Sequence, residues 1–232
     1  MKNNTVIYND KEYNTCICMN NGTKLLPFHN DLFMIEIMLN ILKESEVFIE
    51  TGTAGGQTIF FVARNFQELE CYTCEVSKIN IDIAAENIKG LTNVKLMNIK
   101  SPDALYYIKN NYNENIFEKK ICFWLDAHGG AGDFPLNEEI IYITSNFKDF
   151  TVFIDDFAIP WDNSFTHDGF HIDNIKESIN NKEKFKYYMP NYSSLSPECN
   201  NINNQECCKP VGYLIITTNN LDKYSFLKEI NL

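Results

Sequence analysis

The sequence predicts an α/β protein: a seven-stranded, mostly parallel sheet with helices on both faces and an antiparallel C-terminal hairpin. Three observations carry this expectation. Short apolar runs alternate with amphipathic stretches of about 10–15 residues through most of the chain. Glycines and carboxylates follow those runs directly, where an open parallel sheet turns from strand to helix. The last two apolar runs are separated by a polar loop with no helix between them, so they pair as a hairpin at the sheet edge.

Residues 1–29 read as an irregular N-terminal arm with short strands around 6–8 and 15–19, and residues 30–232 as one domain. Asn30 is the expected cap of the helix DLFMIEIMLNILKES, whose apolar residues recur at helical spacing. VFIE at 47–50 is a buried strand, followed by a glycine-rich turn and a helix to Asn65. A second strand covers 70–76, and Ser77 caps the next helix, which Gly90 ends. NVKLMNI at 93–99 is a third strand. Ser101 at N-cap and Pro102 at N1 open the helix after it. ICFWLD at 121–126 and TVFIDD at 151–156 are the fourth and fifth strands, with a helix from Leu136 to Phe147 between them. A lid-like loop at 157–170 leads to a helix near 171–181. Strands at 185–189 and 212–218 flank a polar loop at 190–210, and a short helix closes the chain.

In a chain of 232 residues, 44% apolar and 13% aromatic content supplies a sizeable core. No apolar run is long enough to span a membrane, and MKNNTVIYND lacks the apolar stretch of a signal peptide, so the cytoplasm is the expected location. Twenty basic against 31 acidic residues give a net charge of −11, and Arg64 is the single arginine. That balance argues against nucleic acid as the main partner. The cysteines are Cys16, Cys18, Cys71, Cys74, Cys122, Cys199, Cys207 and Cys208. Cys71 and Cys74 are three apart on a strand and face opposite sides, the wrong geometry for one metal. Thiols in a reducing compartment are expected, and the sequence assigns no role to Cys199, Cys207 and Cys208.

The residues just past each strand are the ones to weigh. Glu50-Thr51-Gly52-Thr53-Ala54-Gly55-Gly56-Gln57-Thr58 allows a tight turn, close backbone approach of a ligand and free N–H groups at a helix start, although a plain strand–helix turn reads the same way. Glu75 follows Gly56 by 19 positions, near the about 20 at which a carboxylate holds the hydroxyls of a nucleoside ribose. Asp103 can accept from an adenine amine, or with Ser101 it simply favours the helix start. Asp126 and the Asp155–Asp156 pair end neighbouring strands, so their carboxylates approach one another and suit a hard divalent cation such as Mg²⁺. His128 lies two residues beyond Asp126 and can serve as base, ligand or structural residue. His167, His171 and Trp161 in the loop after the fifth strand are further candidates for substrate contact.

On ETGTAGGQT (50–58), CEVSK (74–78), SPDAL (101–105), FWLDAHGG (123–130), PLNEEI (135–140) and FIDDF (153–157), residues 30–218 resemble the class I S-adenosylmethionine-dependent methyltransferases, which have a Rossmann-like fold. A nicotinamide-binding turn would carry G-x-G-x-x-G, whereas the glycines here are Gly52, Gly55 and Gly56. Within the class, the LDAH and IDDF segments look most like the metal-dependent small-molecule and sugar O-methyltransferases, which include the macrocin type. The resemblance implies that Glu50 and the backbone of Gly52, Thr53, Ala54, Gly55 and Gly56, with Thr58, line the methionine and ribose part of S-adenosylmethionine. It implies that Glu75 holds the ribose, that Ser77 or Lys78 flanks the adenine, that Asp103 and Ala104 border it, and that Asp126 lies beside the cofactor. Asp126, Asp155 and Asp156 match positions that bind a divalent cation. Ala54 departs from the pattern, which has a glycine there.

The expected chemistry is therefore cation-assisted methyl transfer to a hydroxyl of a sugar or other small molecule, with Asp126 and His128 as catalytic residues and a homodimer as a possible assembly. Two other readings stay open at this point. One is a metal-independent N- or O-methyltransferase using His128 or Asp126 alone. The other is a nucleoside-binding partner subunit without catalysis.

Overall fold

The computed structural model describes residues 5–8, 11–14, 17–18, 24–25, 27–111, 115–127, 135–196 and 210–232. Two small antiparallel pairs come first: β1 (Thr5–Tyr8) with β2 (Lys11–Asn14), and β3 (Ile17–Cys18) with β4 (Lys24–Leu25). Then follow α1 (Leu32–Glu44), β5 (Val47–Thr51), α2 (Gln57–Asn65), β6 (Glu70–Cys74), α3 (Lys78–Asn87), β7 (Val94–Met97) and α4 (Ser101–Asn111). The remaining elements are β8 (Lys120–Leu125), α5 (Leu136–Asn146), β9 (Asp149–Ile154), α6 (Ile172–Ile175), β10 (Lys186–Pro190), β11 (Leu214–Thr217) and β12 (Leu227–Ile230).

The main sheet has the order β12-β10-β11-β9-β8-β5-β6-β7. β7, β6, β5, β8 and β9 are parallel, while β11, β10 and β12 join antiparallel. The expected α/β class is present, with eight strands in place of seven. The extra strand is β12, where a C-terminal helix was expected. Its hydrogen bonds come from β10, a partner that local periodicity cannot reveal.

Strand alternation divides the core in two. Val47 and Ile49 of β5, with Ile121, Phe123 and Leu125 of β8, face α4 and α5; Phe48, Cys122 and Trp124 face α1 and α2. Cys71 and Cys74 fall on opposite faces as expected, and with Cys122 they are buried free thiols whose pKa burial pushes up. Among the described residues, no helix is long and apolar enough to cross a membrane.

Several local expectations need correction. The cap of α1 is Asp31 and not Asn30: Asp31 Oδ1 accepts from the Phe33 and Met34 N–H groups at 2.9 and 3.2 Å. Ser101 is itself the first residue of α4, and its hydroxyl donates to the buried Glu139 of α5 instead of capping the helix. The helix expected near 171–181 is one turn, α6, followed by a 3₁₀ turn at Lys176–Ser178. Ser77 caps α3 as expected, accepting from the Asn80 N–H.

Candidate active site

All five parallel strands end on one rim, and Glu50, the Gly52–Gly56 turn, Glu75, Asp126, Asp155 and Asp156 follow those strand ends. At the β5–β6 end the chain turns sharply after Thr51. Gly52, Ala54 and Gly56 all have positive φ, at 82°, 45° and 82°. Gly52 packs its α-carbon against the Asp126 backbone, where a β-carbon would lie 2.1 Å from the carbonyl oxygen. Gly56 packs on Ala84 of α3. Gly55 is pinned by Asn87, whose side-chain amide donates to its carbonyl at 2.7 Å. Ala54 adopts a left-handed conformation that glycine takes more readily, so alanine here carries a cost in backbone strain.

Glu75 stands immediately past β6 and faces this turn. Its carboxylate accepts from the Ala54 N–H at 3.0 Å and the Ser77 N–H at 2.8 Å. Two backbone donors fix the carboxylate, and its remaining lone pairs can accept from vicinal hydroxyls. Glu50 lies below the turn and is 2% exposed. Thr73 donates to it at 2.5 Å, and Thr53 and Thr73 are hydrogen-bonded to each other. Burial raises the Glu50 pKa to about 8 against the pull of Thr73 and the Ile59 N–H, with the Glu75 charge adding to the rise. Thr53 is also buried, Thr58 is half-buried, Asp103 is exposed on the first turn of α4, and Ala104 is buried in the core.

At the β8–β9 end, Leu125 and Ile154 are in register, so Asp126 and Asp155 leave adjacent strands side by side. Oxygens of Asp126, Asp155 and Asp156 lie within 4.8 Å of one another. Burial raises the Asp126 pKa well above the usual carboxylate range, and the charges of Asp155, Asp156 and Glu50 add to it, with the Trp124 indole pulling the other way. Burial and the Asp155 charge raise Asp156 to about 7. A positive charge among these groups would relieve their repulsion, and three hard carboxylates without a thiolate fit Mg²⁺, Mn²⁺ or Ca²⁺.

Sequence reasoning missed His29. Its Nε2 lies 2.6 Å from Asp155 Oδ2 across 126 positions of chain. Burial alone would lower its pKa, but Asp155, with Asp156 and Asp31, raises it to about 9. The segment beside it is tied to the C-terminal part of the chain. The Tyr192 hydroxyl donates to Asp31, and Phe33 stacks at 4.4 Å on Tyr192. No local pattern in the sequence marks His29, because its partner comes from β9.

The other expected residues lie apart. His167 and His171 are exposed. His167 Nδ1 accepts from the Gly169 N–H at 3.0 Å, and the His171 N–H donates to Asn174 at 2.9 Å. Trp161 donates its indole N–H to the Pro190 carbonyl at 3.0 Å, and Lys228 lies over its ring at 4.1 Å. The 157–170 loop folds back onto the rim, the Asp168 N–H donating to the Asp156 carbonyl at 3.0 Å. His128, Gly129, Gly130, Cys16, Cys199, Cys207 and Cys208, and the 197–209 part of the polar loop, lie outside the described residues.

No protein-family model matches the chain, and no curated protein matches it. Solved structures do match in fold. The O-methyltransferase TomG from Streptomyces achromogenes, in complex with S-adenosylmethionine, is 13% identical, with 80% of this chain and 78% of that chain covered and a TM-score of 0.55. The O-methyltransferase from Bacillus cereus, in complex with S-adenosylhomocysteine, is 16% identical over 83% and 81%, with a TM-score of 0.56. The plantazolicin methyltransferase BamL, also with S-adenosylhomocysteine, is 13% identical over 82% and 86%, with a TM-score of 0.53. The fold is thus one shared with O-methyltransferases of known structure.

Proposed function

We propose that this chain is an S-adenosylmethionine-dependent methyltransferase that methylates a hydroxyl of a sugar or another small molecule with the help of a divalent cation. The observation that carries the reading is the carboxylate of Glu75, fixed by two backbone donors beside the Gly52–Gly56 turn on the same rim as three convergent aspartates. Glu75 would accept both ribose hydroxyls. The turn would receive the methionine part, and Ser77 and Asp103 would border the adenine, with Ala104 buried behind them. The neighbour structures in complex with S-adenosylmethionine or its product support this choice of ligand.

The sulfonium of the cofactor supplies an activated methyl group. A divalent cation, when bound, supplies Lewis acidity that lowers the pKa of a hydroxyl it contacts. Asp126, Asp155 and Asp156 would hold that cation. His128 is the expected proton acceptor. Net charge −11 and a single arginine favour a small acceptor over nucleic acid. In this reading the protein works in the reducing cytoplasm.

The test uses protein stripped with EDTA, methyl-labelled cofactor and a panel of sugars and small hydroxylated compounds, with products followed by mass spectrometry. Transfer is expected only after Mg²⁺ or Mn²⁺ is restored. Undiminished transfer by stripped protein would remove the cation from the mechanism, and failure to bind S-adenosylhomocysteine in calorimetry would remove the methyltransferase reading altogether.

A further inference from the structure

The chain enters the domain through a turn that its own residues resist. Phe28 and His29, consecutive residues of the Pro27–Asn30 turn, have φ of 53° and 52°. Histidine visits this region more often than most residues, but a bulky Phe does so rarely. Long-range contacts hold both in place. The Phe28 ring is 2% exposed and packs edge-on against Trp124 at 5.0 Å and Phe61 at 5.8 Å. Trp124 stands two residues before Asp126 on β8. The His29 imidazole points the other way along the rim and meets Asp155, at the end of β9. This dipeptide therefore touches both strands that carry the aspartates.

His29 is not a fourth member of the mutually close donor set, which consists of Asp126, Asp155 and Asp156. Its side chain is 35% exposed, and its Nε2 is directed at a carboxylate oxygen 2.6 Å away. Among the described residues its hydrogen bond is to Asp155, a carboxylate that is 1% exposed. A group that grips one oxygen of a metal-binding carboxylate fixes the plane of that carboxylate and tunes the site from outside.

We infer that His29 is a positioning residue for the cation site: its imidazole holds Asp155 in the orientation that converges with Asp126 and Asp156. This inference rests on the cation reading given under Proposed function. The turn at Pro27–Asn30 thereby becomes part of the site, and the strained backbone is the means by which it reaches β9.

The test reads Mn²⁺ binding by electron paramagnetic resonance, with S-adenosylhomocysteine binding by calorimetry as a separate measure of the folded domain. His29→Asn keeps a residue at ease with positive φ but withdraws the donor from Asp155, and His29→Gln keeps an N–H of similar reach. His29→Asn should bind Mn²⁺ about 10–100-fold more weakly than wild type, and His29→Gln should stay within about threefold of it. Both variants should bind S-adenosylhomocysteine as wild type does. Unchanged or tighter Mn²⁺ binding by His29→Asn overturns the inference. Equal loss in both variants also overturns it, since the bond would then not be what matters. Wild-type protein that binds no Mn²⁺ overturns the cation reading itself, an outcome distinct from either.

Discussion

At the β5–β6 end of the rim, Glu75 meets Ala54 across 21 positions of chain, Thr73 meets Thr53 across 20, and Thr73 meets Glu50 across 23. At the β8–β9 end, His29 meets Asp155 across 126 positions and Tyr192 meets Asp31 across 161. The first end is assembled within the β5–α2–β6 unit. The second starts from the equally local β8–α5–β9 unit, which supplies the three aspartates, and adds His29, Asp31 and Tyr192 from segments distant in sequence. A contact within one strand–helix–strand unit leaves a spaced motif in the sequence, whereas a contact across 126 or 161 positions leaves isolated residues.

If the two ends do separate jobs, single substitutions should separate them. Asp156 has φ of 52°, a conformation that asparagine also tolerates, so Asp156→Asn removes a charge with little change in backbone. It should weaken Mn²⁺ binding at least about 100-fold, beyond the usual effect of an outer-sphere change, and leave S-adenosylhomocysteine affinity unaltered in calorimetry. Glu75→Gln should do the reverse, weakening S-adenosylhomocysteine binding about 10–100-fold through loss of charge-assisted hydrogen bonds while Mn²⁺ affinity holds. Cross-effects of equal size in the two assays would break the division.

A smaller effect sharpens the same contrast. Ala54→Gly should relieve the left-handed strain of a turn that is set locally. Relief of about 1–2 kcal/mol is offset by glycine's larger unfolded-state entropy, so thermal unfolding should show a net gain below about 1 kcal/mol. A loss of stability would mean that Ala54 is held by packing and not by the turn.

The same division governs what the sequence made legible. The parallel strands and the residues past them follow from apolar periodicity and turn chemistry, because those signals act over a few residues. Asp126, Asp155 and Asp156 could be brought together on paper because adjacent parallel strands end at the same height. β12 could not, since its register with β10 depends on an edge that local pattern does not encode. Ser101 looked like a helix cap, yet its hydroxyl serves Glu139, 38 positions away. His29 looked like part of an irregular arm, and only the folded sheet gives it Asp155 as a partner. Asp31 took the cap from Asn30 although both residue types cap well, a choice made where Tyr192 also needs an acceptor.

A ribose seated on Glu75 is tested by a crystal structure of the protein grown with S-adenosylhomocysteine. Both ribose hydroxyls should be hydrogen-bonded to the Glu75 carboxylate, with the homocysteine part along the Gly52–Gly56 turn. A bound nucleoside elsewhere on the molecule, with Glu75 contacting only Ala54 and Ser77, would contradict it.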